Sequence, residues 1–393
     1  VEKKKIKDIT APAGRKNKQN LPYERYSISN ETGFYPQADQ FEDGGGYLKD
    51  IDCRQYIIVP PKSFAYNPAR INVGSIGYQN IGKEVIVSSL YEVFQTNDEV
   101  DDRFLWQWFH TDVFHKMVLN VQEGGVRQYF FYDKLKECTI YLPSPDEQKK
   151  IAECLEAIDQ MISAQNQKVE SLKARKKGLM QQLFPQPGAT TPVLRFPGFT
   201  GEWQEKPLSH FLHEHKTKSD GKCEVHSVSV AKGVINQVEY LGRSFAASDT
   251  SKYNLAKPGD IIYTKSPTGA FPYGIVKQNK NPYNVIVSPL YAVYTPVNQY
   301  VGYILDSYFE SSVNTNNYLS SLIQKGAKNT IQISNDTFVS KSMCLPSDPA
   351  EQQKIAECLE TLDNLIAAES KKLESLKTHK KGLMQQLFPQ PVK

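Results

Sequence analysis

Residues 176–187 read KKGLMQQLFPQP, and residues 380–391 read KKGLMQQLFPQP again. The copies lie 204 positions apart in a chain of 393 residues. A repeat at about half the chain length marks a molecule built from two copies of one unit. The identity extends backward from the quoted string. Residues 148–187 align without a gap to 352–391, and 28 of those 40 pairs are identical.

Both segments have heptad spacing. The first seam runs Ile151, Leu155, Ile158, Ile162, Gln165, Val169, Leu172, Lys176, Leu179, Leu183. The second runs Ile355, Leu359, Leu362, Ile366, Glu369, Leu373, Leu376, Lys380, Leu383, Leu387. Steps of four and three residues keep a narrow apolar stripe on one helical face, which is a coiled-coil seam. The stripes break at the same two places, Gln165/Glu369 and Lys176/Lys380, and repeated polar breaks point to a fixed register. Ser144-Pro145-Asp146-Glu147 reads as an N-cap, a proline at N1 and a glutamate at N3, and Asp348-Pro349-Ala350-Glu351 repeats it. Phe184-Pro185 and Phe388-Pro389 end the helices. Each helix is then about 38 residues, or roughly 57 Å. Pairing within the chain buries both stripes, and a globular stretch of about 150 residues between them favours the antiparallel arrangement.

The regions before the helices repeat more faintly. VIVSSLYEVF at 85–94 resembles VIVSPLYAVY at 285–294, and YIIVPPKSFAY at 56–66 resembles YNLAKPGDIIY at 253–263. These are strand-like runs punctuated by Pro and Gly. The expected fold is α+β: two mixed α/β domains joined by two long antiparallel coiled-coil helices, with a pseudo-two-fold internal repeat. The segments are a first domain over 1–145, a helix over 146–184, a linker and start of the second repeat over 185–202, a second domain over 203–348 and a C-terminal helix over 349–388.

Composition sets the remaining bounds. Hydrophobic residues make up 39% and charged residues 23%, as in a soluble globular protein. The net charge of +4 permits nucleic acid without demanding it. No apolar run approaches the ~18 residues of a membrane span. No signal peptide is apparent, and a cytoplasmic setting is expected. The six cysteines, at 53, 138, 154, 223, 344 and 358, show no CxxC pair, and Cys154 and Cys358 read as small buried helix residues.

Catalytic motifs are weak. PDEQK at 145–149 holds fragments of a nuclease signature, but its carboxylates are adjacent and the helix cap explains them. NPYN at 281–284 is similar to an amino-methyltransferase loop, yet it lacks a proline and a methyl-donor loop before it. DGGGY at 43–47 reads as a loop. His210, His213 and His215 have spacing that zinc can use, but the matching stretch at 8–13 has no histidine, so no metal is expected.

The repeated elements are those of a known family. PVLRFPGFTGEW at 192–203, the helix starts EQKKIAECLEAID and EQQKIAECLETLD, and the helix ends KKGLMQQLF resemble the specificity subunit of type I restriction–modification systems. The resemblance covers nearly the whole chain. VEKKKIKD at 1–8 matches WQEKPLSH at 203–210, but nothing before it matches LRFPGF, so the first unit is expected to lack its opening segment. The resemblance implies that each head is a target recognition domain reading one half of a bipartite, asymmetric site in double-stranded DNA. It implies that the helices set the gap and dock two modification subunits, which methylate adenine using S-adenosylmethionine. Two restriction subunits using ATP and magnesium complete such systems. All those cofactors belong to partners, and this chain is expected to be neither an enzyme nor a cofactor carrier.

Base readout needs Arg, Lys, Asn and Gln that reach base edges, with further cations on phosphates. The candidates in the first head are Asn67, Arg70, Arg127 and Gln128. In the second they are Lys265, Ser266, Lys328 and Asn329. The basic stretches at 14–18 and 216–222, with Lys216 and Lys218, are candidates for holding phosphates as flexible segments. The competing reading is a coiled-coil adaptor that binds protein alone, and the divergence of the heads argues against it.

Overall fold

The computed structural model describes residues 1–30, 33–40, 51–120, 129–186, 188–219, 221–244, 246, 249–325 and 331–388. It divides into two units, Val1–Asn166 with Lys371–Lys393, and Gln167–Ser370. Each unit holds one head, the first part of the long helix that follows that head, and the last part of the other long helix.

In the first unit, the strand Glu2–Lys5 runs antiparallel to Thr139–Leu142, the last strand before the long helix. A four-stranded antiparallel sheet has the order Thr10–Pro12, Glu92–Thr96, Phe64–Tyr66, Ile76–Tyr78. A smaller sheet joins Arg15–Lys16, Ile57–Val59 and Val85–Val87. All three residues of Val85–Val87 are buried, which is why that strand is continuously apolar instead of alternating. Asp101 caps the helix Asp102–Phe109 by accepting from the amides of Arg103 and Phe104. Phe64 and Phe94 stack at 5.2 Å, and Phe109 meets Phe64 edge-on at 5.6 Å. This core continues into Ile151 and Leu155 of the first long helix and Phe388 at the end of the second. Phe388 lies 5.1 Å from Phe104.

The second unit repeats the plan. Gln204–Pro207 pairs with Ser342–Leu345, and the four-stranded order is Leu212–Glu214, Ala292–Pro296, Ile261–Thr264, Ile275–Gln278. Asn254–Ala256 pairs with Val285–Val287. Tyr263 stacks on Phe338 at 4.3 Å. The core extends into Ile355 and Leu359 of the second long helix and into Met180, Leu183 and Phe184 at the end of the first. Phe184 meets Tyr308 at 5.3 Å, the counterpart of Phe388 against Phe104.

The long helices span Pro145–Leu183 and Pro349–Leu387, 39 residues each. All twenty seam positions, Ile162, Leu172, Leu362, Ile366 and Leu376 among them, are buried or half-buried. Lys168 pairs with Glu369 at 2.5 Å in the second unit, a contact of antiparallel helices. Two readings need correction. Cys154 is exposed and Cys358 only half-buried, because each sits one residue before a seam leucine, on the flank of the stripe. The stretch at 14–18 is no flexible tail: Arg15–Lys16 pairs as a strand with Ile57 and Ile58, and Arg15 is bound by Glu84 at 2.7 Å.

The two helix starts differ in one respect. Glu351 is buried and receives Arg195 of the LRFPGF segment through two parallel bonds, Nε to Oε1 at 2.7 Å and Nη2 to Oε2 at 2.8 Å. Glu147, its counterpart 204 residues earlier, is exposed and has no hydrogen bond or ion pair among the described residues.

Candidate nucleic-acid interface

In each head, several loops leave the same end of the four-stranded sheet. Tyr66 faces Glu92, so the loop beginning at Asn67 emerges beside the turn at 88–91. Tyr263 faces Ala292, and the loop beginning at Lys265 emerges beside the turn at 288–291 in the same way. Both loops end on a left-handed glycine, Gly74 at φ +87° and Gly274 at φ +110°. A Cβ on Gly274 would lie 2.0 Å from the Thr264 carbonyl oxygen, so only glycine closes that loop.

The candidate residues have distinct settings. Asn67 accepts the amide of Ala69 on its Oδ1, an Asx turn that shapes the loop and uses one of its acceptor sites. Arg70 is exposed, and among the described residues its guanidinium has no ion pair or hydrogen bond. Lys265 is exposed and equally unengaged, and Ser266 donates its amide to Thr264 Oγ1 at 3.2 Å. Lys216 is exposed and also unengaged among the described residues. Lys218 differs, because its ammonium donates to Asn254 Oδ1 at 2.6 Å and to the Lys252 carbonyl at 3.2 Å. His215 donates its amide to the Val293 carbonyl, so 216–218 lead away from the sheet end that also holds Lys265. Arg127, Gln128, Lys328 and Asn329 lie outside the described residues, as does DGGGY at 43–47. The anchor of the first of those loops is described: Phe130 donates its amide to the Pro68 carbonyl at 2.9 Å, beside Asn67 and Arg70.

Sequence reasoning overlooked the apolar groups at this end. Leu90 and Leu290 are 69% and 78% exposed, at matching turns inside the very repeat VIVSxLY that identified those strands. A leucine between two strands at a turn was the available signal. Tyr129 and Phe131 are half exposed and stack at 5.4 Å, whereas Phe130 between them is buried. The counterpart of Phe131 beside buried Ile333 is Ser334, so the two heads present different chemistry at that position.

The other weighed motifs have structural partners. Asn281 of NPYN donates to the Val234 carbonyl at 3.1 Å and to Asn279 Oδ1 at 2.9 Å, which fixes a turn. His215 is bound to the buried Asp260 at 2.9 Å. Among the described residues no three His, Cys, Asp or Glu side chains come together as a metal site.

The seam lysines form the second polar feature. Lys176 is 6% exposed, and its ammonium donates to Asp363 Oδ1 at 2.5 Å and to Glu310. Burial works against its charge, yet Glu310 and Asp363 outweigh that and hold its pKa above the ordinary value. In the first unit Lys380 donates to both oxygens of Asp159, at 2.7 and 2.8 Å.

Comparison with known proteins fits this doubled architecture. The family described as the type I restriction modification DNA specificity domain matches residues 1–174 and again 204–378. The chain belongs to that family. It is a specificity subunit with two DNA-recognition domains and is not itself an enzyme. The type I restriction enzyme MjaVIII specificity subunit of Methanocaldococcus jannaschii is 26% identical over 392 residues, covering 91% of this chain and 85% of that protein. The S subunit of a type I system from M. genitalium superposes with a TM-score of 0.61 at 13% identity, over 100% of this chain and 96% of that one. A chain from a structure of type I complex assembly and conformational transition superposes at 0.54 and 13%, over 100% and 98%. At such identity these two likenesses speak for the fold alone. No helix among the described residues of this specificity subunit is long and apolar enough to cross a membrane.

Proposed function

We propose that each head reads one half of a bipartite, asymmetric DNA site and that the paired helices hold the two readings at a fixed separation. The observation that carries this is the contrast within the repeat. One topology and one helical scaffold occur twice, while the loops at the matching sheet end differ: Asn67 and Arg70 in one head, Lys265 and Ser266 in the other. A scaffold with strict two-fold symmetry favours a palindromic site, and unlike heads remove that demand. In functional terms the chain divides into recognition domains over 1–145 and 203–348, helices over 146–184 and 349–388, and a linker over 185–202.

Arg70 and Lys265 are the first candidates for base or phosphate contact, because their charges are exposed and uncommitted. Lys216 serves phosphates in the same way. Lys218 is a weaker candidate, since its ammonium already has two acceptors. Repetition of the helices supports docking of two like modification subunits. Those partners would bring S-adenosylmethionine and adenine methylation, and two restriction subunits would bring ATP and magnesium. The assembled complex should bind duplex DNA with a steep salt dependence, as phosphate contacts require. Gel shifts of the complex over 50–300 mM salt test this. A complex that shifts no duplex at any salt concentration would favour the adaptor reading instead.

A further inference from the structure

Asp363 is a three-way junction. Its Oδ1 accepts from Lys176 of the facing helix, and its Oδ2 accepts from the hydroxyl of Tyr303 at 2.6 Å, on the head's own helix Gln299–Glu310. Glu310, the last residue of that helix, also reaches Lys176. Asp159 does the same in the first unit. It accepts from Lys380 of the facing helix and, at 2.9 Å, from the Gln107 amide on the head's helix Asp102–Phe109. Each head is therefore tied to an aspartate that also holds the opposing helix.

The clasps obey one register. The partners 176 and 363, like 159 and 380, have numbers that add to 539. The leucines and isoleucines of the seam are poor at choosing a register, because they recur every three or four residues, so the choice falls to its polar positions and to the helix ends Phe184 and Phe388 held in the head cores. Sliding by one heptad brings Lys176 opposite Ala356 or Ser370, and Lys380 opposite Ala152 or Asn166. None of those carries a charge, so a slipped coil leaves two lysines in the seam without their carboxylates, which is costly. A single polar seam residue is the best-attested device for fixing coiled-coil register.

We propose that Lys176–Asp363 and Lys380–Asp159 are the positioning pairs that set the DNA spacer, an inference that rests on the half-site reading above. A heptad slip moves the helices by about 10 Å, or about three base pairs at 3.4 Å each. The test uses the full chain assembled with its modification subunits, after its site has been mapped. The double variant Lys176→Met, Lys380→Met makes the seam wholly apolar at those points. It should fold at least as stably, because replacing buried charge by packed apolar groups is often neutral or stabilising. The affinity ratio between the native spacer and spacers changed by three base pairs should fall at least tenfold. In the Lys176→Met background, exchange of the other pair as Asp159→Lys, Lys380→Asp should restore discrimination relative to the double methionine variant, since among the described residues no third carboxylate crowds that clasp. Full spacer discrimination in the double methionine variant overturns the proposal, and so does an equal loss on all spacers, the mark of a merely structural role. Scrambled half-sites are run beside these. If the unaltered complex does not distinguish them from cognate DNA, the half-site reading fails; if it does, only the clasp is at issue.

Discussion

Glu351→Gln and Glu147→Gln are the same change at the same repeat position, and their consequences should differ. Glu351 has a side chain only 2% exposed and holds Arg195 through two bonds of 2.7 and 2.8 Å. Removing one partner of a buried ion pair costs about 3–5 kcal/mol. Arg195 keeps 18% of its side-chain surface, and glutamine retains one acceptor, so the cost falls below that range, at about 2–3 kcal/mol. With a urea slope of about 2 kcal/mol/M, the unfolding midpoint of the second unit should fall by about 1–1.5 M. Tryptophan fluorescence isolates that unit. Trp203 is buried in its core, and the other two tryptophans, Trp106 and Trp108, lie in the first unit and can be replaced by phenylalanine. Glu147 is exposed and unengaged among the described residues, so Glu147→Gln, followed through Trp106 and Trp108 with Trp203 replaced, should leave the midpoint of the first unit in place. Replacing Arg195 and Glu351 together by methionine should recover most of the loss. Equal shifts from the two glutamine variants would refute the argument that the LRFPGF segment is locked by this pair.

The remaining expectations concern the interface, the cysteines and the seam. Arg70→Ala and Lys265→Ala should each weaken cognate binding of the assembled complex by about 1–3 kcal/mol if they read bases, and should weaken all sequences alike if they hold phosphates; competition gel shifts separate the two. Lys218→Ala should lower the urea midpoint of the second unit more than it lowers DNA affinity, because it removes the bond to Asn254. A maleimide should label Cys154 in the native chain and reach buried Cys138, whose thiol burial pushes up to about 11, only after unfolding. Lys176 is held above its ordinary value of 10.5, so its contribution is complete below that pH and lost as the pH rises through the raised value. The urea midpoint of the native second unit should therefore fall more beyond pH ~10.5 than that of Lys176→Met.

The scaffold could be read from sequence because its signals are local and doubled. A seam such as Ile151, Leu155, Ile158 repeats every few residues, and Ser144-Pro145 or Phe184-Pro185 punctuates it. The polar breaks at Lys176 and Lys380 were visible too. Their partners were not, since Asp363 and Asp159 become neighbours only once an antiparallel register is set. Cys154 was misread because an apolar-looking helical pattern does not separate a seam residue from its flank one position away. The interface was harder still. That Asn67 and Lys265 stand on matching loops was legible in the repeat of 56–66 at 253–263, but that these loops emerge beside the turns at 88–91 and 288–291 follows from strand pairing, Tyr66 with Glu92 and Tyr263 with Ala292, which no local pattern encodes. Lys218 looked like Lys216 in sequence, and only the folded chain gives it Asn254.

On the reading proposed above, the two heads recognise two half-sites independently. Exchange of residues 203–348 for the matching head of a relative, followed by mapping of methylated adenines in cells carrying the whole system, tests it most directly. One half-site should change, the other should stay, and the spacer should be kept. A new sequence in both halves, or an unchanged site in an active complex, would contradict that reading.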